Sequence, residues 1–190
     1  MELILCRARA MRTLAVLAAA ACFALPATRA MAASAAELSS EANKALQSLY
    51  AKVPAAKAIG AKATAVLVFP KVTKAGVGIG GQYGEGALLK GGKAVGYYST
   101  AGVSTGLQIG AQTYGYAMFF MNDAAVKQLD AAQGFEVGVG PSVVVMDEGK
   151  AKSTTTTTMK DDIYAFIFGQ KGLMAGVGVQ GNKISRITPK

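Results

Sequence analysis

Val66–Leu89 reads VLVFPKVTKAGVGIGGQYGEGALL. An apolar run, Val66–Phe69, stops at Pro70, and Lys71 and Lys74 flank the turn expected after it. Gly76, Gly78 and Gly80 then alternate with Val77 and Ile79. Side chains at i and i+2 share a face of an extended chain. The stretch therefore predicts a β-strand with three glycines on one face and Val77 and Ile79 on the other. A helix would scatter these residues, and glycine is costly in a helix interior. The bare face predicts a close approach by another backbone, sheet or helix. The pattern returns at Glu136–Gly140 (EVGVG) and Ala175–Gly181 (AGVGVQG). Copies about 100 residues apart are too distant for a solenoid repeat and read as equivalent strands of one sheet or barrel.

Gly76-Val77-Gly78-Ile79-Gly80-Gly81 also matches GxGxxG formally. A dinucleotide site needs those glycines to open a helix, with an acid about twenty residues further on. Here QYGEG follows, and Gly96, Tyr97 and Tyr98 stand at that distance. The strand reading is preferred.

All 23 glycines fall at Gly60 or later, so a glycine-free front precedes a glycine-rich body. The front opens with Arg7, Arg9 and Arg12, the apolar run Leu14–Leu25, and small residues around Ala27–Ala36. That is the layout of an export leader, and cleavage after Ala30 or Ala32 fits it. The expected organisation is a leader over 1–32, a helical segment over 33–63 and a β body over 64–190, the last two forming one globular domain. The expected location is the periplasm or envelope of a bacterial-type cell. Cys22, after Ala19-Ala20-Ala21, offers a second reading as a lipoprotein leader, although Ala19 stands where leucine is usual. Both cysteines, Cys6 and Cys22, lie in this leader, so a chain cut later has no disulfide.

The 20 basic and 11 acidic residues give +9; losing four arginines and one acid with residues 1–30 leaves 16 and 10, or +6. A basic exported protein suits anionic lipid headgroups or acidic polymers. Glu37–Val53 is the clearest helix, with Leu38, Ala42, Ala45, Leu46, Leu49 and Val53 on one face. Its other face carries Glu37, Glu41, Lys44, Gln47, Ser48 and Lys52. Pro54 interrupts it, and Ala55–Ala63 predicts a second short helix with Lys57 and Lys62. Such a helix lies on a membrane or, more commonly, packs on its own domain.

From Thr64 the reading is strands and turns: Ala65–Phe69, Gly76–Gly84, Glu85–Leu89, Ala94–Thr100, Gly106–Ala111 and Gly115–Met121, with a hairpin turn at Lys90–Lys93. Asn122 predicts a cap for a helix over Asp123–Ala132. Further strands are expected at Phe135–Gly140, Ser142–Met146, Thr154–Thr158, Ile163–Phe168, Leu173–Gln180 and Lys183–Ile187, with a turn at Asp147–Lys150. The fold class expected is α+β, with N-terminal helices on a glycine-rich, mostly antiparallel, strongly curved or barrel-like sheet. A transmembrane barrel is disfavoured, because glycines replace the polar lumen face.

There is no histidine, which excludes imidazole-based triads and imidazole metal ligands. Asp161-Asp162 and Asp147-Glu148 read as turn residues, and Ser99, Ser104 and Ser142 have no evident base. No catalytic residue, metal site or cofactor is expected. The body's single arginine, Arg186, and its dispersed lysines give no nucleic-acid signature.

Ala61–Leu89 resembles the SYLF domain family, also known from exported bacterial proteins. GYYSTAG (Gly96–Gly102), GLQIGAQTYGYAMFFMND (Gly106–Asp123), FEVGVGPS (Phe135–Ser142) and YAFIFGQKGLMAGVGVQG (Tyr164–Gly181) extend the likeness. Tyr98 departs from it, standing where many relatives have tryptophan. The resemblance implies a non-catalytic module that binds lipid at membrane surfaces, in particular phosphoinositide or other acidic phospholipid headgroups. It assigns lipid contact to an N-terminal amphipathic helix and nearby basic residues: Lys44, Lys52, Lys57 and Lys62, with the strand-flanking Lys71 and Lys74. Actin binding, a eukaryotic feature, is not implied for a bacterial envelope. Two other readings stand beside this one. One is an interaction module whose glycine-faced sheet packs on a protein partner of unknown kind, and the other is a carrier holding a lipid tail inside the sheet.

Overall fold

The computed structural model describes residues 34–130, 135–136, 143–146 and 161–190. The expected leader with Cys6 and Cys22, the turn expected at Asp147–Lys150 and the strand expected at Thr154–Thr158 lie outside the described residues, as does most of the EVGVG copy.

Helix α1 (Ala35–Lys52) starts where Ser34 accepts a hydrogen bond from the Glu37 amide at 3.2 Å. It ends because Pro54 follows, and Pro54 opens α2 (Pro54–Gly60), where its missing N–H costs nothing. Strand β1 (Ala65–Lys90) then pairs antiparallel with β2 (Lys93–Phe120). Gly91 and Gly92, at φ +57° and +79°, make the tight turn between them. Asn122 accepts from the Ala125 amide at 2.8 Å and caps α3 (Asp123–Lys127), which runs into a 3-10 turn at Gln128–Asp130. That helix is shorter than the sequence predicts.

Short strands β3 (Phe135–Glu136) and β4 (Val143–Met146) precede the long β5 (Ile163–Ile187). The sheet order is β1-β2-β5-β3, and β4 pairs with β5. Every pairing is antiparallel except β4 with β5. The α+β class and mostly antiparallel sheet are as expected; of the strongly curved or barrel-like form expected, closure is not seen. Among the described residues β1 remains an edge strand, with no pairing to β3 or β4 that would close the sheet.

The strands are also longer than the sequence pieces. Pro70 does not end β1; it sits at a register shift between Phe69 and Val72. An edge strand tolerates proline there because no neighbour requires its N–H on the open side.

Ala65–Phe69 is buried on both faces, which explains its continuous apolar run. On one side Leu46 and Leu49 of α1 and Ile59 of α2 pack against Val66, Val68, Phe119 and Phe166. The Phe119 and Phe166 rings meet edge-on, 5.4 Å between centroids. On the other side Leu67, Phe69, Met118, Phe120 and Ile163 pack with Ala125 and Leu129. Every residue of both core clusters lies within Ala33–Lys190, a compact unit. That segment therefore carries its own core.

Candidate functional site

The six lysines singled out by the sequence fall into two groups. Lys44 and Lys52 are exposed on α1, Lys57 on α2, and Lys62 just before β1. Lys71 and Lys74 lie further along β1. Alternation places Lys71 with Thr73, Ala75 and Val77 on the exposed face, and Lys74 with Val72 on the opposite one. The structure does not bring those two to a common face. From Ala65 to Val77 β1 has thirteen residues, at most about 40 Å of strand. Lys62 and the far end of this segment cannot share one headgroup.

Helix α1 has the expected amphipathic pattern, but its apolar face is occupied. Leu38, Ala42, Leu46 and Leu49 are all buried in the domain's own core. Burying that face in a bilayer would require pulling the helix off the sheet. On its outer face two glutamates, Glu37 and Glu41, offset Lys44 and Lys52.

The glycine stretch holds the larger surprise. A Cβ on Gly76 would overlap the Gly80 backbone, and Gly78 has φ +71°. Across this point β1 advances from Val77, opposite Ile109, to Ile79, opposite Thr105. Two steps on β1 thus match four on β2, and the edge strand cuts a tight corner. Beyond it β1 returns over itself. A Cβ on Gly84 would sit 2.9 Å from the Lys71 carbonyl oxygen, and one on Gly86 would collide with the Val68 carbonyl and the Phe69 ring. A straight strand would hold Gly84 about 43 Å from Lys71 and Gly86 about 60 Å from Val68. The close backbone approach predicted from the glycines is found at Gly76, against Gly80, and again at Gly84 and Gly86, where the approaching backbone is β1's own first half.

Between the two halves lie buried polar groups. Tyr114 donates to Gln82 Oε1 at 3.1 Å, the Gln82 amide donates to Asn182 Oδ1 at 2.5 Å, and Thr100 reaches the same oxygen at 3.3 Å. A lipid tail held there would have to displace this network, which counts against the carrier reading.

At the corner the apolar side chains point outward. Val77, Ile79 and Ile109 are 75%, 69% and 62% exposed, the surface opposite to what their hydrophobicity favours. Tyr83 on the returning limb of β1 and Val103 on the neighbouring β2 are also exposed. Val77 and Ile109 are direct cross-strand partners on one face. Four residues back along that face Thr73 pairs with Thr113, and Thr113 with exposed Lys171 of β5. One outer face thus runs from Lys71 and Lys171 to Val77 and Ile109. Among the described residues neither lysine is ion-paired. Sequence reasoning missed Lys171 as a site residue, although it stands four residues before the second AGVG as Lys71 stands four before the first.

Tyr98 is buried. Its hydroxyl donates to Asp130 at 2.9 Å, and Arg186 binds the same carboxylate oxygen at 2.9 Å. Burial first, then the bond to Asp130, pushes the phenol up to about 12. It is a structural bridge and has no interfacial face. Asp162 accepts from the Asn122 amide at 2.7 Å and serves the turn, as expected. Among the described residues no acidic, histidine or cysteine cluster could hold a metal, and no helix is long and apolar enough to cross a membrane.

Residues 101–188 match the family model for Ysc84, described as Las17-binding protein actin regulator. Over those residues the chain is similar to the SYLF domain family. The match takes in most of β2 and all of β5, and so Ile109, Lys171 and Arg186. Helices α1 and α2 and strand β1, with the six lysines first singled out, precede the matched residues. No curated protein matches the chain.

Proposed function

We propose that this protein is a non-catalytic lipid-binding module of the bacterial envelope that attaches reversibly to acidic membrane surfaces. The family match supports lipid or interaction chemistry in general. The observation that carries the finer reading is the set of exposed lysines on a basic body, with no converging catalytic groups seen among the described residues. Each lysine near an anionic surface contributes about 1 kcal/mol, falling off within a Debye length. Several together give attachment without a spanning segment. Phosphoinositide-type and other acidic headgroups offer the same phosphate chemistry. The exposed lysines Lys44, Lys52, Lys57, Lys62 and Lys71, with half-buried Lys74, are the first contacts proposed. Las17 binding and actin regulation belong to the family description and are not proposed for an exported chain.

The test is co-sedimentation of residues 33–190 with phosphatidylcholine vesicles, with and without phosphatidylglycerol or phosphoinositide, at low and moderate salt. Binding confined to acidic vesicles and weakened by salt is expected. A folded protein that ignores every vesicle would move the assignment to a protein partner.

A further inference from the structure

We infer that the β1 corner is a membrane-penetrating tip: Val77, Ile79 and Ile109 enter the headgroup–acyl boundary of an anionic bilayer while Lys71 and Lys171 hold the phosphates behind them. This rests on the lipid-binding reading above and assigns it a surface the helix-centred reading does not include. Three observations lead to it. First, α1's apolar face is buried in the domain core, so the only large apolar side chains more than 60% exposed among the described residues are Val77, Ile79, Val103 and Ile109, at or beside the corner. Exposed apolar groups gathered at one place mark interaction surfaces.

Second, the backbone presents them as a tip. Gly78 turns the chain at positive φ, Gly76 and Gly80 touch, and the two limbs of β1 pack on each other behind. Val77 and Ile79 are therefore held outward by the fold.

Third, the charge is complementary and at the right depth. The Thr73–Thr113–Lys171 row lies four residues behind Val77, roughly 13 Å along the strand. Apolar groups of interfacial segments enter about 5–10 Å. Lysines at that setback, with stems that extend toward the surface, reach the phosphate layer. The body's net +6, counted without residues 1–30, has the same sign. A neutral protein partner would make no use of Lys71 and Lys171, which is why the bilayer is the occupant assigned.

The experiment uses residues 33–190, which contain neither cysteine. Ile79→Cys and, as a control on the exposed side of α1, Ser48→Cys are each labelled with a polarity-sensitive fluorophore. Both are mixed with phosphatidylcholine vesicles containing phosphatidylglycerol. The label at position 79 is expected to shift to the blue and be quenched by lipids brominated near the headgroup; the label at 48 is expected to stay aqueous. In parallel, unlabelled Val77→Ser/Ile79→Ser should lose about tenfold in vesicle partition with an unchanged thermal transition, since both positions are exposed. If the parent binds but position 79 stays aqueous, or position 48 shifts instead, the tip assignment is overturned while lipid binding stands. If the double variant alters only the mass in solution, the tip is a contact between copies, and the inference is again overturned. A parent that binds no vesicle removes both readings.

Discussion

Gly78 and Gly86 are both glycine, for different physical reasons. Gly78 has φ +71° with open space where a Cβ would go, whereas at Gly86 that space is filled by the Val68 carbonyl and the Phe69 ring. Gly78→Ala should therefore cost only the left-handed backbone term, about 1–2 kcal/mol. Gly86→Ala should cost more, about 2–3 kcal/mol, because backbone must move to relieve overpacking. Urea unfolding of the two variants checks the order; equal losses would mean that the limbs of β1 do not touch. Tyr98 offers a second test. Its protonated phenol is the form the fold favours, so its contribution is complete below pH 10 and is lost as pH rises through about 12. Tyr98→Phe should cost about 1–2 kcal/mol at neutral pH and flatten part of the alkaline decline. Tyr83, also raised to about 12, leaves a residual slope. At this scale the sequence showed that glycines mark a close approach, but not which glycines, because that depends on where β1 doubles back.

Among the elements, the amphipathic helix was the most legible, and its polarity decided its role only once the sheet was in view. Alternation of apolar and charged residues is the same for a helix on a core and a helix on a membrane. Leu49, 1% exposed, settles it for α1. Leu49→Ala should destabilise the domain by about 2–5 kcal/mol in thermal or urea unfolding, yet leave vesicle affinity per folded molecule unchanged. A proportional loss of affinity would return the lipid contact to the helix. The strands were legible as pieces and not as wholes. Pro70 and the glycines look like terminators in sequence, but an edge strand accepts a proline, and a corner accepts glycine, without leaving the sheet. The turn at Gly91-Gly92 and the cap at Asn122 were readable because each rests on local chemistry alone.

For the molecule as a whole, the sequence resemblance located the family, and the match over 101–188 agrees. What it could not supply was the separation between the helix lysines and the corner, a product of strand length and pairing. Two candidate surfaces follow, and they make opposite demands. Inserting the apolar face of α1 into a bilayer requires the helix to leave its core; attachment through the corner leaves the core intact. Amide hydrogen exchange of residues 33–190, with and without phosphatidylglycerol-containing vesicles, reads both surfaces at once. The corner account predicts that amides around Gly76–Gln82 gain protection on vesicles while those of α1 keep the same rates. Faster exchange in α1 with an unchanged corner would contradict it and show that the helix, after undocking, is the membrane-binding element.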